Sequence, residues 1–221
     1  MSNSLNHLFK LFKYELEHVR KRSTNFSLWL HLKLWFNDRI LRKNTMESAF
    51  PWINYSTIQF MHHIVSKDTK VLEFGAGGSS LFFLERKTNL TSIEHEAEWI
   101  IEVQKRASKK QLMRWSHHLI SSNKPNSRVP LADDYLYPLK NIADSSIDLV
   151  VVDGRHRVES VRRAMTKVKS GGFLILDNSD RPEYAEAFEI LLDWTLIDIW
   201  CITNCSEFVT PAAIWTKPLI A

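Results

Sequence analysis

The chain has 221 residues, 44% of them hydrophobic and 24% charged, with two cysteines, six glycines and seven prolines. This composition excludes intrinsic disorder, collagen and a disulfide scaffold, and the length suits one domain, or one domain with an appendage, burying roughly 70% of its unfolded surface. Basic residues exceed acidic ones by four (29 against 25), and the surplus is N-terminal: residues 1–50 hold nine basic and four acidic side chains, leaving 20 and 21 for residues 51–221.

The opening SNSLNHLFKLFKYE is polar and lacks a continuous apolar core before a small-residue cleavage site. The longest apolar stretch, Phe26 to Phe36, is short for a membrane span and carries His31 and Lys33. The expectation is a cytoplasmic protein. Leu5, Leu8, Phe9, Phe12, Leu16 and Val19 recur at three- and four-residue steps opposite Lys10, Lys13, Glu17 and Arg20, which predicts a helix. A second apolar set (Leu28, Trp29, Leu32, Trp35, Phe36, Ile40) can form another helix, although Leu28 to Phe36 also alternates like a strand. Residues 1–50 are read as a basic, aromatic-rich helical extension that packs on the main domain or on a second subunit in a homo-oligomer. Its residues 5–43 also suit peripheral contact with an anionic membrane surface.

A turn at Ala49-Phe50-Pro51 and a helical stretch at Ser56 to Val65 open the domain of residues 51–221. Strands are predicted at Lys70–Phe74, Leu90–Glu94, His118–Ser121, Ile147–Val152, Phe173–Leu176, Leu196–Ile202 and Ala212–Thr216, with helices at Ser79–Arg86, Ala97–Lys110, Val158–Lys169 and Pro182–Trp194. Short buried strands alternating with helices predict an α/β fold, a doubly wound, mostly parallel seven-stranded sheet. Ligands of such sheets bind outside the carboxyl ends of the strands. Trp52, Tyr55 and Phe60 either cover a ligand there as a lid or belong to the core. Cys201 and Cys205, with no second Cys pair and no His at metal spacing, read as reduced core or strand thiols.

The first strand enters a glycine-rich turn, VLEFGAGGSS, and then a helix; glycines let backbone N–H groups approach a ligand. About twenty residues on, the second strand ends at Glu94, whose carboxylate can accept hydrogen bonds from ribose hydroxyls. Ser80 stands where a nicotinamide fingerprint beginning at Gly75 needs its third glycine. The E-x-G-x-G run from Glu73 instead resembles motif I of the class I S-adenosylmethionine-dependent methyltransferases. That resemblance implies S-adenosylmethionine as cofactor, with Glu73 at its methionine end, Gly75, Ala76 and Gly77 at the close approach, Ser79 in place of the usual third glycine, and Glu94 on the ribose. His95 either packs near the adenine or lies on the surface.

Strands four and five end in Asp153 and in Asp177-Asn178, three oxygen ligands that suit Mg²⁺ or Ca²⁺ better than zinc. This pattern is similar to the metal-dependent O-methyltransferases of the catechol, caffeoyl-CoA and macrolide-sugar type. It implies that Asp153, Asp177 and Asn178 hold Mg²⁺ and that His156, three positions after the first Asp, removes the acceptor proton; Asp153 also borders the cofactor. Histidine, with a pKa of about 6.5, suits a base at neutral pH. Arg155, Arg157 and Arg181 flank the same edge and favour an anionic acceptor, or pair with acidic neighbours. An Asp-Gly-Arg-His run after strand four, in place of an Asn- or Asp-Pro-Pro-aromatic element, disfavours nucleic acid as substrate. The expected function is therefore O-methylation of a hydroxyl on a small molecule or glycan. A metal-independent methyltransferase and a non-catalytic cofactor-binding protein that docks a partner or membrane are the alternatives.

Overall fold

A computed structural model describes residues 28–41, 44–124, 126–206 and 208–219. The proposed helix over residues 5–19 lies outside the described residues. Seven strands form one sheet in the order β3-β2-β1-β4-β5-β7-β6: β1 (Lys70–Phe74), β2 (Asn89–Glu94), β3 (Trp115–Leu119), β4 (Ile147–Val152), β5 (Val168–Asp177), β6 (Thr195–Ile202) and β7 (Val209–Thr216). The first five pair in parallel, whereas β7 runs antiparallel between β5 and β6. This is a doubly wound, Rossmann-like fold with an antiparallel last hairpin. Strand order reverses at β1 and β4, and the loops leaving those two strands meet at the carboxyl edge, where a doubly wound sheet binds its ligands.

Both faces of the sheet are covered, so the central strands are apolar on both sides. Val71, Leu149 and Ile175 point to one layer with Phe82, Phe83, Met61 and Trp200; Leu72, Phe74, Val150 and Leu176 point to the other with Tyr135, Val161 and Leu191. The first layer contains α1 (Leu28–Leu41), α2 (Thr45–Ser48), α3 (Tyr55–Ile64), α4 (Gly78–Glu85), α5 (Ala97–Arg106) and α6 (Lys109–Leu112); the second contains α7 (Ala132–Leu136), α8 (Arg157–Ala164) and α9 (Ala185–Ile190). Trp35 of α1 is 2% exposed in the first layer, and its Nε1 donates to the Ser206 carbonyl at 2.7 Å. Tyr55 is buried and Phe60 packs edge-on against Phe173, so both are core residues.

Several boundaries move. The helix predicted to reach Lys169 stops at Ala164, because Val168 already pairs with Ile147 and the chain continues through Gly171 (φ +74°) as the start of a ten-residue β5. The helix predicted over Ala97–Lys110 breaks at Ala107 and Ser108, where the Ser108 side chain and Gln111 form a reciprocal cap for α6. Before α9, Pro182–Tyr184 form a single 3₁₀ turn. β3 begins at Trp115, three residues earlier than predicted, because its register with β2 opens at Leu90. Among the described residues no helix is long and apolar enough to cross a membrane.

Candidate active site

Three loops are stitched together at the carboxyl edge. Gly75 N–H donates to the Ile93 carbonyl at 2.9 Å, Asp153 N–H to the Phe74 carbonyl at 3.1 Å, and the Tyr135 hydroxyl to the Ile93 carbonyl at 3.0 Å. Gly75 has φ +96°, which strains any side chain, and a Cβ there would sit tightly, 3.3 Å from Gly154 N. Gly78 opens α4 beneath the chain of residues 45–50; a Cβ on it would strike the Phe50 and Thr45 carbonyl oxygens.

Glu73 lies beneath this loop and not in the cavity. It is 1% exposed, and its carboxylate accepts from Ser79 Oγ at 2.7 Å, from Ser92 Oγ at 2.6 Å and from Ser80 Oγ. The same serines are tied to the scaffold, since Ser80 Oγ accepts from Gly77 N–H at 3.1 Å and Ser92 Oγ from Trp115 Nε1 at 2.7 Å. Burial pushes the Glu73 carboxyl up to about 7 against the opposing pull of the three hydroxyls. Its role is to brace the glycine turn from below.

Glu94 does face the cavity. Oε1 accepts from the backbone N–H groups of His95 (2.6 Å) and Glu96 (2.8 Å) and lies 2.7 Å from His95 Nδ1, while Oε2 accepts from Ala76 N–H at 2.7 Å. Burial alone would raise this carboxyl; the His95 ring and the three amides outweigh it and hold Glu94 below the usual carboxylate range. Oε2 has one donor and so retains capacity for a ligand hydroxyl. His95 is positioned from both sides, with Nδ1 toward Glu94 and Nε2 accepting from Arg155 Nε at 3.1 Å. Trp99 of α5, which the sequence reading did not single out, lines the same end, its ring 3.6 Å from where a Gly77 Cβ would be. No glycine, charge or spacing marked it; only the docking of α5 beside the loop brings it there.

Asp153, Asp177 and Asn178 do converge at the other end of the cavity, but Arg157 lies among them. Its Nη2 is 2.7 Å from Asp153 Oδ1, and its Nη1 is 3.4 Å from Asn178 Oδ1 and 3.9 Å from Asp177 Oδ2. Two of the oxygens expected to hold Mg²⁺ or Ca²⁺, Asp153 Oδ1 and Asn178 Oδ1, are therefore engaged by a guanidinium, whose charge stands where the ion's would, while Asp177 Oδ1 is buried without a hydrogen-bond partner. Among the described residues no three His, Cys, Asp or Glu side chains are grouped to hold a metal. The Asp177 side chain is 3% exposed, and its carboxyl is pushed well above the ordinary range, by burial first and then by the Asp153 carboxylate facing it. Asp153 borders the cavity with 37% of its side chain exposed; burial raises its carboxyl and Arg157 partly offsets this.

His156 does not line the cavity. It takes a left-handed conformation (φ 50°) at the start of α8, which turns its ring against Tyr135 (centroids 5.9 Å apart) and sets Nε2 2.8 Å from the Pro130 carbonyl. Arg157, one residue later, turns inward in its place.

The cavity measures about 500 Å³. Besides these groups it is bordered by Trp52 and Phe208, which are 58% and 70% exposed, and by Arg155 and Arg181, neither of which has a carboxylate partner among the described residues. Its two ends join Gly75–Ser79 and Glu94–Glu96 to Asp153 and Asn178 without a barrier of secondary structure.

No protein-family model matches the chain, and no curated protein does. Solved structures do. A protein from Corynebacterium glutamicum superimposes with a TM-score of 0.53 at 16% identity, covering 95% of this chain and 98% of its own. Rv0187 from MTB, solved with cofactor bound, gives 0.57 at 13% identity, covering 86% and 97%. A methyltransferase from Pyrococcus furiosus gives 0.48 at 14% identity, covering 86% and 98%. The first two likenesses extend over nearly the whole of each chain and show a shared fold.

Proposed function

We propose that the protein is an S-adenosylmethionine-dependent methyltransferase that acts on a hydroxyl oxygen of a small, ring-bearing, anionic molecule or sugar. The observation that carries this reading is Glu94, a carboxylate held ionised at the end of β2, with Oε2 open to a further donor beside the glycine turn. A ribose diol matches that acceptor, and Trp99 offers a flat apolar surface to a base next to it. When bound, S-adenosylmethionine supplies an electrophilic sulfonium methyl group.

The other end of the cavity supplies what an acceptor needs. Asp153 can accept the proton of a hydroxyl, and the upward shift of its carboxyl makes it a stronger base than an exposed aspartate. Arg155 and Arg181 can bind a carboxylate or phosphate on the acceptor, and Trp52 and Phe208 can flank its ring. Thr203 and Thr210, whose hydroxyl oxygens pair with each other, border the same space.

Calorimetric titration with S-adenosylmethionine and its demethylated product tests the cofactor half. Micromolar binding to the wild type that weakens about tenfold or more in Glu94→Gln is expected, since one charge-assisted hydrogen bond contributes roughly 1.5–3 kcal/mol. Absence of binding to the folded wild type would overturn the reading. Detection of methylated product from hydroxybenzoates and uronic acids, set against their uncharged alcohols, tests the acceptor half.

A further inference from the structure

Arg157 places all five of its N–H donors inside the protein. Nη2 donates to Asp153 Oδ1 at 2.7 Å and to the Asp153 carbonyl at 2.8 Å; Nη1 donates to the Asp177 carbonyl at 2.6 Å and toward Asn178 Oδ1 at 3.4 Å; Nε donates to the Gly154 carbonyl at 3.2 Å. The side chain is 9% exposed, and the Tyr184 ring stands 5.4 Å from the guanidinium carbon. A guanidinium has five such donors, in one plane and with fixed directions. This one thus reads the ends of β4 and β5 together, touching the backbone of both and a side-chain oxygen of both. Its charge is permanent, and it lies against the two acidic side chains that leave the sheet at this edge.

We propose that Arg157 is the resident cation of this site: its guanidinium takes the position that a divalent ion would hold among Asp153, Asp177 and Asn178, fixes Asp153 toward the cavity, and makes the site independent of divalent metal. The charge of Arg157 and its bonds to two of these side chains oppose a second cation here. A hard divalent ion would need them at about 2.0–2.6 Å, and Arg157 already engages Asp153 Oδ1 and Asn178 Oδ1. Arg157 is a positioning residue, because it acts on the cavity through Asp153. The inference stands on its donors and their partners and does not rest on methyl transfer.

The test reads metal binding directly and needs no acceptor. Mn²⁺ is titrated into the full chain while free Mn²⁺ is followed by electron paramagnetic resonance, and the melting temperature is recorded with Mn²⁺ and with chelator. Wild type is expected to bind no Mn²⁺ at this site and to melt at one temperature in both conditions. Arg157→Ala, which removes the cation among three oxygen-bearing side chains, is expected to melt lower, to bind Mn²⁺ where wild type binds none, and to regain several degrees in its presence. Adding Asp153→Asn to that variant should abolish the gain. Mn²⁺ binding by wild type that disappears in Asp177→Asn would overturn the proposal, and so would a folded Arg157→Ala that ignores Mn²⁺. Should Arg157→Ala fail to fold, the wild-type and Asp177→Asn titrations still decide. Cofactor titration on the same samples separates this outcome from the fate of the methyltransferase reading.

Discussion

Glu73→Gln should change the pH dependence of stability more than stability itself. The Glu73 carboxyl is raised from its ordinary 4.5 to about 7 in the folded chain. Below pH 4.5 the folded and unfolded chains both carry its proton. Between 4.5 and 7 the unfolded chain releases the proton and the folded chain keeps it, so stability falls as pH rises; above 7 both are ionised and the loss is complete. At about 1.36 kcal/mol per pH unit, the gap amounts to about 3 kcal/mol. Glutamine does not titrate, and its amide can accept from Ser80 and Ser92 while donating to Ser79. Subtracting the wild-type stability from that of Glu73→Gln cancels every other titrating group. This difference should grow by about 3 kcal/mol from pH 4.5 to pH 8, or about 6–12 °C in melting temperature for a chain of this size. Denaturant unfolding of both proteins across that range measures it. A difference that stays constant with pH would refute the reasoning and mean that Glu73 is ionised throughout.

Gly78→Ala should destabilise the chain by about 1–3 kcal/mol in denaturant unfolding, because its methyl group meets two backbone carbonyls of residues 45–50 and not a flexible side-chain end; an unchanged midpoint would show that this segment yields freely. His156→Ala should cost about 1 kcal/mol of stability through the lost bond to the Pro130 carbonyl while leaving methyl transfer intact. Asp153→Asn should instead lower turnover about 10²-fold or more with cofactor affinity retained. Turnover assays on a methylated acceptor would distinguish the pair, and loss of activity in His156→Ala would return that ring to the reaction.

The central strands were legible because they are apolar runs bounded by polar or glycine-rich turns, and Ile147–Val152 and Lys70–Phe74 form over the predicted residues; the polar WSHHL of β3 gave no such signal. The chain from Val168 to Gly172 was not, since VKSG lacks that signature and is recruited to β5 by partners distant in sequence, Ile147 on one side and the backbone of Lys217 on the other. At the site, Glu94 and the glycine turn could be read from the strand-turn-helix order alone. The exchange of His156 for Arg157 could not. It turns on a single left-handed residue at position 156, which sets the start of α8 and so decides whether the third or the fourth side chain after Asp153 faces the edge. Residues 153–156 lie outside the helix, so helical spacing gave no signal for the pairing of Asp153 with Arg157.

Three acids are buried or nearly so at this edge, and the protein treats each differently. Glu73 is met by neutral hydroxyls, which do not outweigh its burial, so it is pushed toward the neutral form. Asp177 faces another carboxylate and shares a guanidinium with it, and it too is driven upward. Glu94 alone has three backbone amides and an imidazole, and it alone is held below its ordinary range. Of the three it is the one whose surroundings favour the anion, and Oε2 accepts only the Ala76 amide. A ligand hydroxyl can recover there the desolvation cost of entering the cavity, because the acceptor is already charged, already oriented and not fully used. The same reasoning separates bracing from binding at Glu73: its oxygens serve the fold, and a ligand that sought them would have to break a buried bond to a serine first.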